Sequence, residues 1–298
     1  MSSFSERIAR RPLVLDGGLS TQLEAQGVVF NSPLWTAQAL LDDPSSIEQA
    51  HRAFVDAGAD VIITASYQVS RAGFVALGRT EEEADAALRA SVEVARKAAA
   101  GSTALVAASV GPYGAILHDG SEYRGNYGVS AAKLEEFHRE RLEVLAQSSP
   151  DLFAIETIPD LVEVQAILVA LDAAPGIDAW LSVTIGPDGN LWAGQSLEQV
   201  VHAIEGAPQI KAIGLNCLAP ELVDAAITEI RKFTELPIVV YPNGGGVWDA
   251  ASGRWSEPHR IASSQVCEKW LELGANAVGG CCGVSAFDLS SLASILHR

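Results

Sequence analysis

Two rhythms alternate along this chain. Short runs that are apolar on consecutive positions and rich in β-branched residues give way, after a glycine or polar residue, to stretches of ten or more residues with helical spacing. Eight such units are legible. The predicted strands are Leu13 to Asp16, Val61 to Ala65, Ala104 to Ser109, Leu152 to Glu156, Ala179 to Thr184, Ala212 to Asn216, Pro237 to Tyr241 and Ala277 to Gly280. Most are apolar without a break, which suits strands covered on both faces. Helices are predicted over Ser45 to Ala57, Glu81 to Ala100, Ala131 to Gln147, Leu161 to Asp172, Leu197 to Glu205, Glu221 to Phe233, Ser263 to Leu273 and Phe287 to Leu296. Pro44, Ser45, Ser46 and Glu48 mark a helix start, and Gly58 and Gly274 fall where helices end.

No Pro- or Ser-rich linker divides the 298 residues, so the chain reads as one domain, 1–298. Eight βα units over this length predict an α/β fold, a (β/α)8 TIM barrel. A doubly wound sheet would alternate in the same way, but "LDGGLSTQ" after the first strand lacks the G-x-G-x-x-G spacing of a dinucleotide fold.

Charge narrows the function classes. Lys and Arg number 20 against 37 Asp and Glu, a net charge of −17, and no basic run occurs, so nucleic acid and anionic membrane surfaces are excluded as partners. Mean hydropathy is +0.19, yet no apolar stretch approaches the roughly 18 residues of a membrane span. The first residues lack the long apolar run of a signal peptide. The expectation is a cytoplasmic monomer acting on small molecules. In that reducing compartment the four cysteines, Cys217, Cys267, Cys281 and Cys282, do not form a disulfide framework.

A barrel gathers the C-terminal ends of its strands on one rim, so residues remote in sequence share a pocket. Asp16, Thr64, Ser66, Ser109, Glu156, Thr184, Asn216, Cys217, Tyr241, Cys281 and Cys282 belong to that rim. Cys217 in "IGLNC" and the pair in "VGGCCG" end strands six and eight, which one strand separates. Three thiolates at about 2.3 Å suit Zn2+ and leave a fourth, exchangeable position, as catalytic sites require. Gly279, Gly280 and Gly283 permit the sharp turn that lets adjacent cysteines bind one ion. The adjacent pair alone reads more readily as buried thiols at a strand end; Cys217 on the same rim turns the reading to a metal. Cys267, within "SSQVCEKW", reads as a small core residue.

Two acids end strands one and four. Glu156, before "TIPD", keeps helix capping as an alternative. Asp16 is followed by Gly17 and Gly18, which let a ligand approach the backbone, and by "LSTQLEA", a helix start whose amides suit a carboxylate. Acid and amides together would clamp an amino acid. The loop "GPYGAILHDGSEYRGNYG" after strand three reads as a lid. Its Tyr113, Tyr123 and Tyr127 offer ring faces to a cationic ligand, with Glu122 beside them. For any single tyrosine, a loop ordered by its own aromatics is the equal alternative. His138 falls in a helical pattern and is expected to face solvent; His118 has no assigned role.

"VLDGGLSTQLE", "TASYQ", "FAIETIPD", "IGLNC" and "VGGCCG" occur in that order from Val14 to Gly283. Together they resemble the homocysteine S-methyltransferase family. The resemblance implies zinc held by Cys217, Cys281 and Cys282, and the amino group of homocysteine held by Asp16 and Glu156, with Gly17, Gly18 and Asn216 beside it. The strand-three loop looks most like the subgroup that uses S-methylmethionine and, in some members, S-adenosylmethionine. Methyl transfer from such a sulfonium to homocysteine, forming methionine, is therefore expected, with Tyr67, Tyr113, Glu122 and Tyr123 on the donor side. No cobalamin-binding or folate-binding region is seen. Betaine as donor is the nearest alternative. A zinc hydrolase needs His ligands, and none of the six His ends a predicted strand. A thiol-sensing zinc module would fill the fourth position with a protein ligand.

Overall fold

The computed structural model describes residues 2–29, 36–245, 248–249, 254–255 and 264–297. Eight parallel strands form one ring: β1 (Leu13–Val14), β2 (Val61–Ile63), β3 (Leu105–Val110), β4 (Leu152–Ile158), β5 (Ala179–Val183), β6 (Ile210–Asn216), β7 (Ile238–Tyr241) and β10 (Ala275–Val278). β10 pairs with both β7 and β1, and a bridge from Leu15 to Val61 joins β1 to β2. The expected (β/α)8 TIM barrel is thus the fold. Two short strands, β8 (Trp248–Asp249) and β9 (Arg254–Trp255), pair with each other outside the ring.

Twelve α-helices are described: α1 (Phe4–Ile8), α2 (Leu19–Ala25), α3 (Thr36–Asp42), α4 (Pro44–Asp56), α5 (Arg71–Ala76), α6 (Glu81–Ala99), α7 (Ala131–Gln147), α8 (Leu161–Ala170), α9 (Leu197–Ile204), α10 (Val223–Ile230), α11 (Ser264–Glu272) and α12 (Ala286–Leu296). Local chemistry starts several of them. Thr80 with Glu83, Ser196 with Gln199 and Ser285 with Asp288 form reciprocal capping boxes at α6, α9 and α12. The predicted helix start at Ser263 lies outside the described residues. The eighth barrel strand begins and ends two residues before its predicted span, leaving Gly279 and Gly280 free for the turn that follows.

Alternation along the strands divides the core into two layers. Leu13, Leu105, Leu152, Trp180, Val239 and Ala277 fill the barrel interior, while Val14, Val106, Phe153, Leu181, Val240 and Val278 pack outward against the helices. α1, which the sequence pattern did not announce, closes the lower end. Phe4 packs on Trp180 with ring centroids 5.5 Å apart. Ser5 and Arg7 bond to Asp178 and Thr103, just ahead of β5 and β3. The opposite rim is left for chemistry.

Candidate metal centre and amino-acid site

Cys217 directly follows β6, and Cys281 and Cys282 occupy the turn between β10 and α12. Their Sγ atoms all lie within 4.8 Å of one another. Thiolates bonded to one tetrahedral ion at about 2.3 Å stand about 3.8 Å apart. The Cys217–Cys282 separation of 3.9 Å already has that spacing. Cys217 and Cys281, at 2.7 Å, are closer than two ligands need, yet well beyond the about 2.05 Å of a disulfide. Three soft sulfur donors fit Zn2+ and disfavour Mg2+ or Ca2+, which demand oxygen. Hydrogen bonds from Cys217 and Cys281 hold Cys282 well below an ordinary thiol, and the same contacts push Cys281 well above it. The cluster therefore ionises one thiol readily, and only a cation among the sulfurs would hold all three as thiolates.

Backbone bonds build this cluster. The Cys281 amide donates to Pro242 O at 2.8 Å and the Gly244 amide to Cys282 O at 2.8 Å, so the turn is tied to the segment after β7. The Gly283 amide donates to Thr21 Oγ1 at 2.9 Å, tying the turn to α2 as well. Gly17 and Gly18 are needed here for packing: a Cβ at Gly17 would stand 2.5 Å from Val284 O, and one at Gly18 would stand 2.6 Å from Cys281 O. The Gly18 amide donates to Val284 O at 2.9 Å. The approach to this backbone is made by the cysteine turn itself.

Asp16 and Glu156 face the same rim, both buried. Asp16 Oδ2 accepts from the Ile63 amide at 2.7 Å, whereas Oδ1 is buried without a partner. Burial pushes Asp16 well above the usual carboxylate range, and the nearby Glu156 adds to the shift. Burial also lifts Glu156, to about 7, against hydrogen bonds donated by Ser109 Oγ and the Tyr241 hydroxyl. Two buried acids, one with an unmatched oxygen, make a site that a cation stabilises.

The loop after β3 reaches the sulfurs through Tyr123, whose hydroxyl donates to Cys217 Sγ at 3.5 Å. Proximity to Cys217 and burial raise that phenol well above its usual value. Glu122 beside it has a buried, unpartnered Oε2, and burial raises its carboxyl. Tyr67 follows β2 and hydrogen-bonds Thr157; its phenol is also raised, by burial and by Cys217. Tyr113 is placed differently. Its ring packs on Phe137 at 5.1 Å and Tyr127 at 5.5 Å, and its amide donates to Glu163 Oε1 at 2.6 Å. Tyr127 donates to Glu163 Oε2 at 2.8 Å. These two tyrosines order the loop.

The chain matches the profile of the homocysteine S-methyltransferase family over residues 13–296. It belongs to that family. The homocysteine S-methyltransferase of Escherichia coli K12 is 41% identical over 290 residues, covering 94% of each chain. Homocysteine S-methyltransferase 1 of Brassica oleracea var. italica is 39% identical over 304 residues, covering 96% of this chain and 93% of the relative. The crystal structure of the homocysteine methyltransferase MmuM from Escherichia coli, in its metallated form, superposes with a TM-score of 0.86 at 40% identity, covering 95% of this chain and 96% of that one.

Several residues of this homocysteine S-methyltransferase family member escaped the sequence reading of the site. Ser109 and Tyr241 were visible as rim residues, but no pattern tied them to Glu156. Arg141 of α7 was invisible as part of a helical stripe; fully buried, its guanidinium donates to Gly111 O, Ser66 O and Tyr67 O at 2.7, 3.2 and 2.8 Å. Burial lowers it to about 10. Expected to face solvent, His138 is instead completely buried, with Nε2 2.9 Å from Glu163 Oε1. It shares the inward stripe of α7 with Leu134, Arg141, Leu142 and Leu145, and Glu163 supplies the partner that burial demands. Cys267 lies in the core as expected.

Proposed function

We propose that this chain transfers the methyl group of a sulfonium donor, S-methylmethionine, to the sulfur of L-homocysteine, forming methionine, with Cys217, Cys281 and Cys282 holding Zn2+. The observation that carries this reading is the meeting, on the rim of a family member, of three sulfurs with two buried acids, one of whose oxygens lacks a partner. When bound, the ion supplies positive charge that keeps a substrate thiol ionised at neutral pH, where a free thiol of pKa about 8.5 is mostly protonated. Asp16 and Glu156 receive the ammonium of homocysteine. Glu122, with its unmatched oxygen, and the ring of Tyr123 favour the donor's positive charge. The sulfonium C–S bond breaks as the new S–C bond forms, and a neutral thioether leaves. No general acid is needed. The residues therefore act by placing two substrates in line and excluding water, with the loop after β3 as cover.

Free thiols suit a cytoplasmic setting, and no helix among the described residues is long and apolar enough to cross a membrane. A zinc hydrolase finds no support in the ligand set, because the cysteines are the one candidate metal cluster among the described residues. The deciding assay supplies purified, reduced protein with homocysteine and S-methylmethionine, S-adenosylmethionine or betaine in parallel. Methionine is expected fastest from S-methylmethionine. Formation from betaine alone would overturn the donor assignment, and formation from none would overturn the function.

A further inference from the structure

β4 breaks its own alternation beside the candidate site. Leu152 and Ala154 face the barrel interior, while Phe153 and Ile155 pack outward. Strict alternation would turn Glu156 inward, Thr157 outward and Ile158 inward. Ile158 instead packs outward. The pairing explains it: Ile155 and Ile158 of β4 match Leu181 and Val183 of β5, three steps against two. One residue is extra, and the strand accommodates it at Thr157, whose φ is +62°. A β-branched residue occupies that left-handed region only when its surroundings impose it.

The constraint comes from Asn216, the last residue of β6. The Thr157 amide donates to Asn216 Oδ1 at 2.7 Å, and Asn216 Nδ2 donates to Thr157 Oγ1 at 2.7 Å. Both residues are about 1% exposed, so water does not compete for these groups. β5 lies between β4 and β6, so the carboxamide spans a strand to make the bonds. Glu156 immediately precedes Thr157, and Cys217 immediately follows Asn216. Asn216 thereby ties the backbone beside the acid to the backbone beside the sulfur, while Tyr67 also bonds Thr157 and Ser109 bonds the Glu156 carboxylate.

We propose that Asn216 is a positioning residue: its two hydrogen bonds hold the β4 bulge, which sets Glu156 at the right distance from Cys217 for one homocysteine to reach both. The ligand named here rests on the proposed function, whereas the clasp itself does not. Asn216 then acts through Thr157, with its amide oxygen and nitrogen already engaged by protein.

Glycine takes φ +62° without strain, which makes Thr157→Gly the diagnostic background. Asn216→Ala is expected to raise the KM for homocysteine at least tenfold, with kcat changed less than threefold and the zinc content per chain unchanged. In the Thr157→Gly background the same substitution should change that KM less than threefold. Equal factors in both backgrounds would mean that Asn216 touches the substrate directly, and loss of zinc would mean that it supports the metal; either overturns the proposal. Urea midpoints of the four proteins make the comparison without substrate. The destabilisation by Asn216→Ala should shrink in the Thr157→Gly background, and an equal loss in both refutes the clasp. Should Asn216→Ala alone fail to fold, a folded double variant supports the clasp and an unfolded one overturns it. A wild type that makes no methionine sinks the functional reading, and the urea comparison then decides the clasp by itself.

Discussion

Glu156 sits where its own charge is disfavoured, and that conflict can be measured. Its carboxyl is lifted from 4.5 to about 7, chiefly by burial. A group whose folded pKa is raised contributes stability that is full below the unfolded value and is lost as pH rises through the folded one. The neutral form therefore favours the fold below about pH 4.5, and ionisation opposes it increasingly up to about pH 7. Glu156→Gln keeps the shape without the charge. It should stabilise the protein at pH 8 by up to about 3 kcal/mol, the equivalent of that shift, with the gain vanishing near pH 4. The same variant should raise the KM for homocysteine by about tenfold or more, as expected from losing a charged hydrogen bond of roughly 1.5–3 kcal/mol, while zinc content stays at one per chain. In the wild type, homocysteine binding should weaken as pH falls through about 7. Denaturant midpoints at the two pH values and a KM profile check each statement; a less stable Gln variant at pH 8 would refute the burial account.

At the scale of elements, strands and helices were legible because their periods differ, whereas the loop after β3 was legible only as a loop. Nothing in "GPYGAILHDGSEYRGNYG" distinguishes Tyr123, which reaches Cys217, from Tyr113 and Tyr127, which turn back to Glu163 of α8. That division depends on a residue some 40 positions away, and on Gly114, where a Cβ would stand 2.5 Å from the Glu122 amide and lock the two turns apart. His138 was misplaced for a related reason: its burial depends on the same glutamate, a partner on another helix. Glu163 thus serves as the anchor of the loop, accepting from Tyr113, Tyr127 and His138 at once. Glu163→Ala leaves these buried donors unmatched and should cost about 2–4 kcal/mol of stability. Amides of residues 113–127 should exchange with solvent faster, and the KM for the donor should rise, with metal content unchanged. Unaltered exchange across the loop would show that it is anchored elsewhere.

Over the whole molecule, the barrel explains why the sequence disclosed so much of the candidate site and where it stopped. Eight βα units imply a closed ring, and a closed ring makes neighbours of Asp16, Glu156, Cys217 and the 281–282 pair although up to 266 positions separate them. Period and punctuation do not report the bulge in β4, since one extra residue in a strand leaves its composition unchanged. Nor do they report that Gly17 and Gly18 admit the cysteine turn. The ring also predicts a global consequence for the metal. Cys217 hangs from β6 and the other two cysteines from β10, on opposite sides of β7, so an ion held by all three cross-links two strands that do not pair with each other. A ligand present at about 100 times its dissociation constant stabilises the folded state by about 2.7 kcal/mol, and with an unfolding entropy of about 2.1 cal/mol/K per residue each kcal/mol shifts the melting temperature of a chain this long by about 1.6 °C. Chelation of the reduced protein should therefore lower the melting temperature by roughly 4 °C, reversibly on adding zinc back. Cys217→Ala should already melt at the lower temperature and respond little to either treatment, because its two remaining sulfurs lie on one turn and bridge nothing. A chelated wild type that melts unchanged would show that the barrel rim does not depend on the ion.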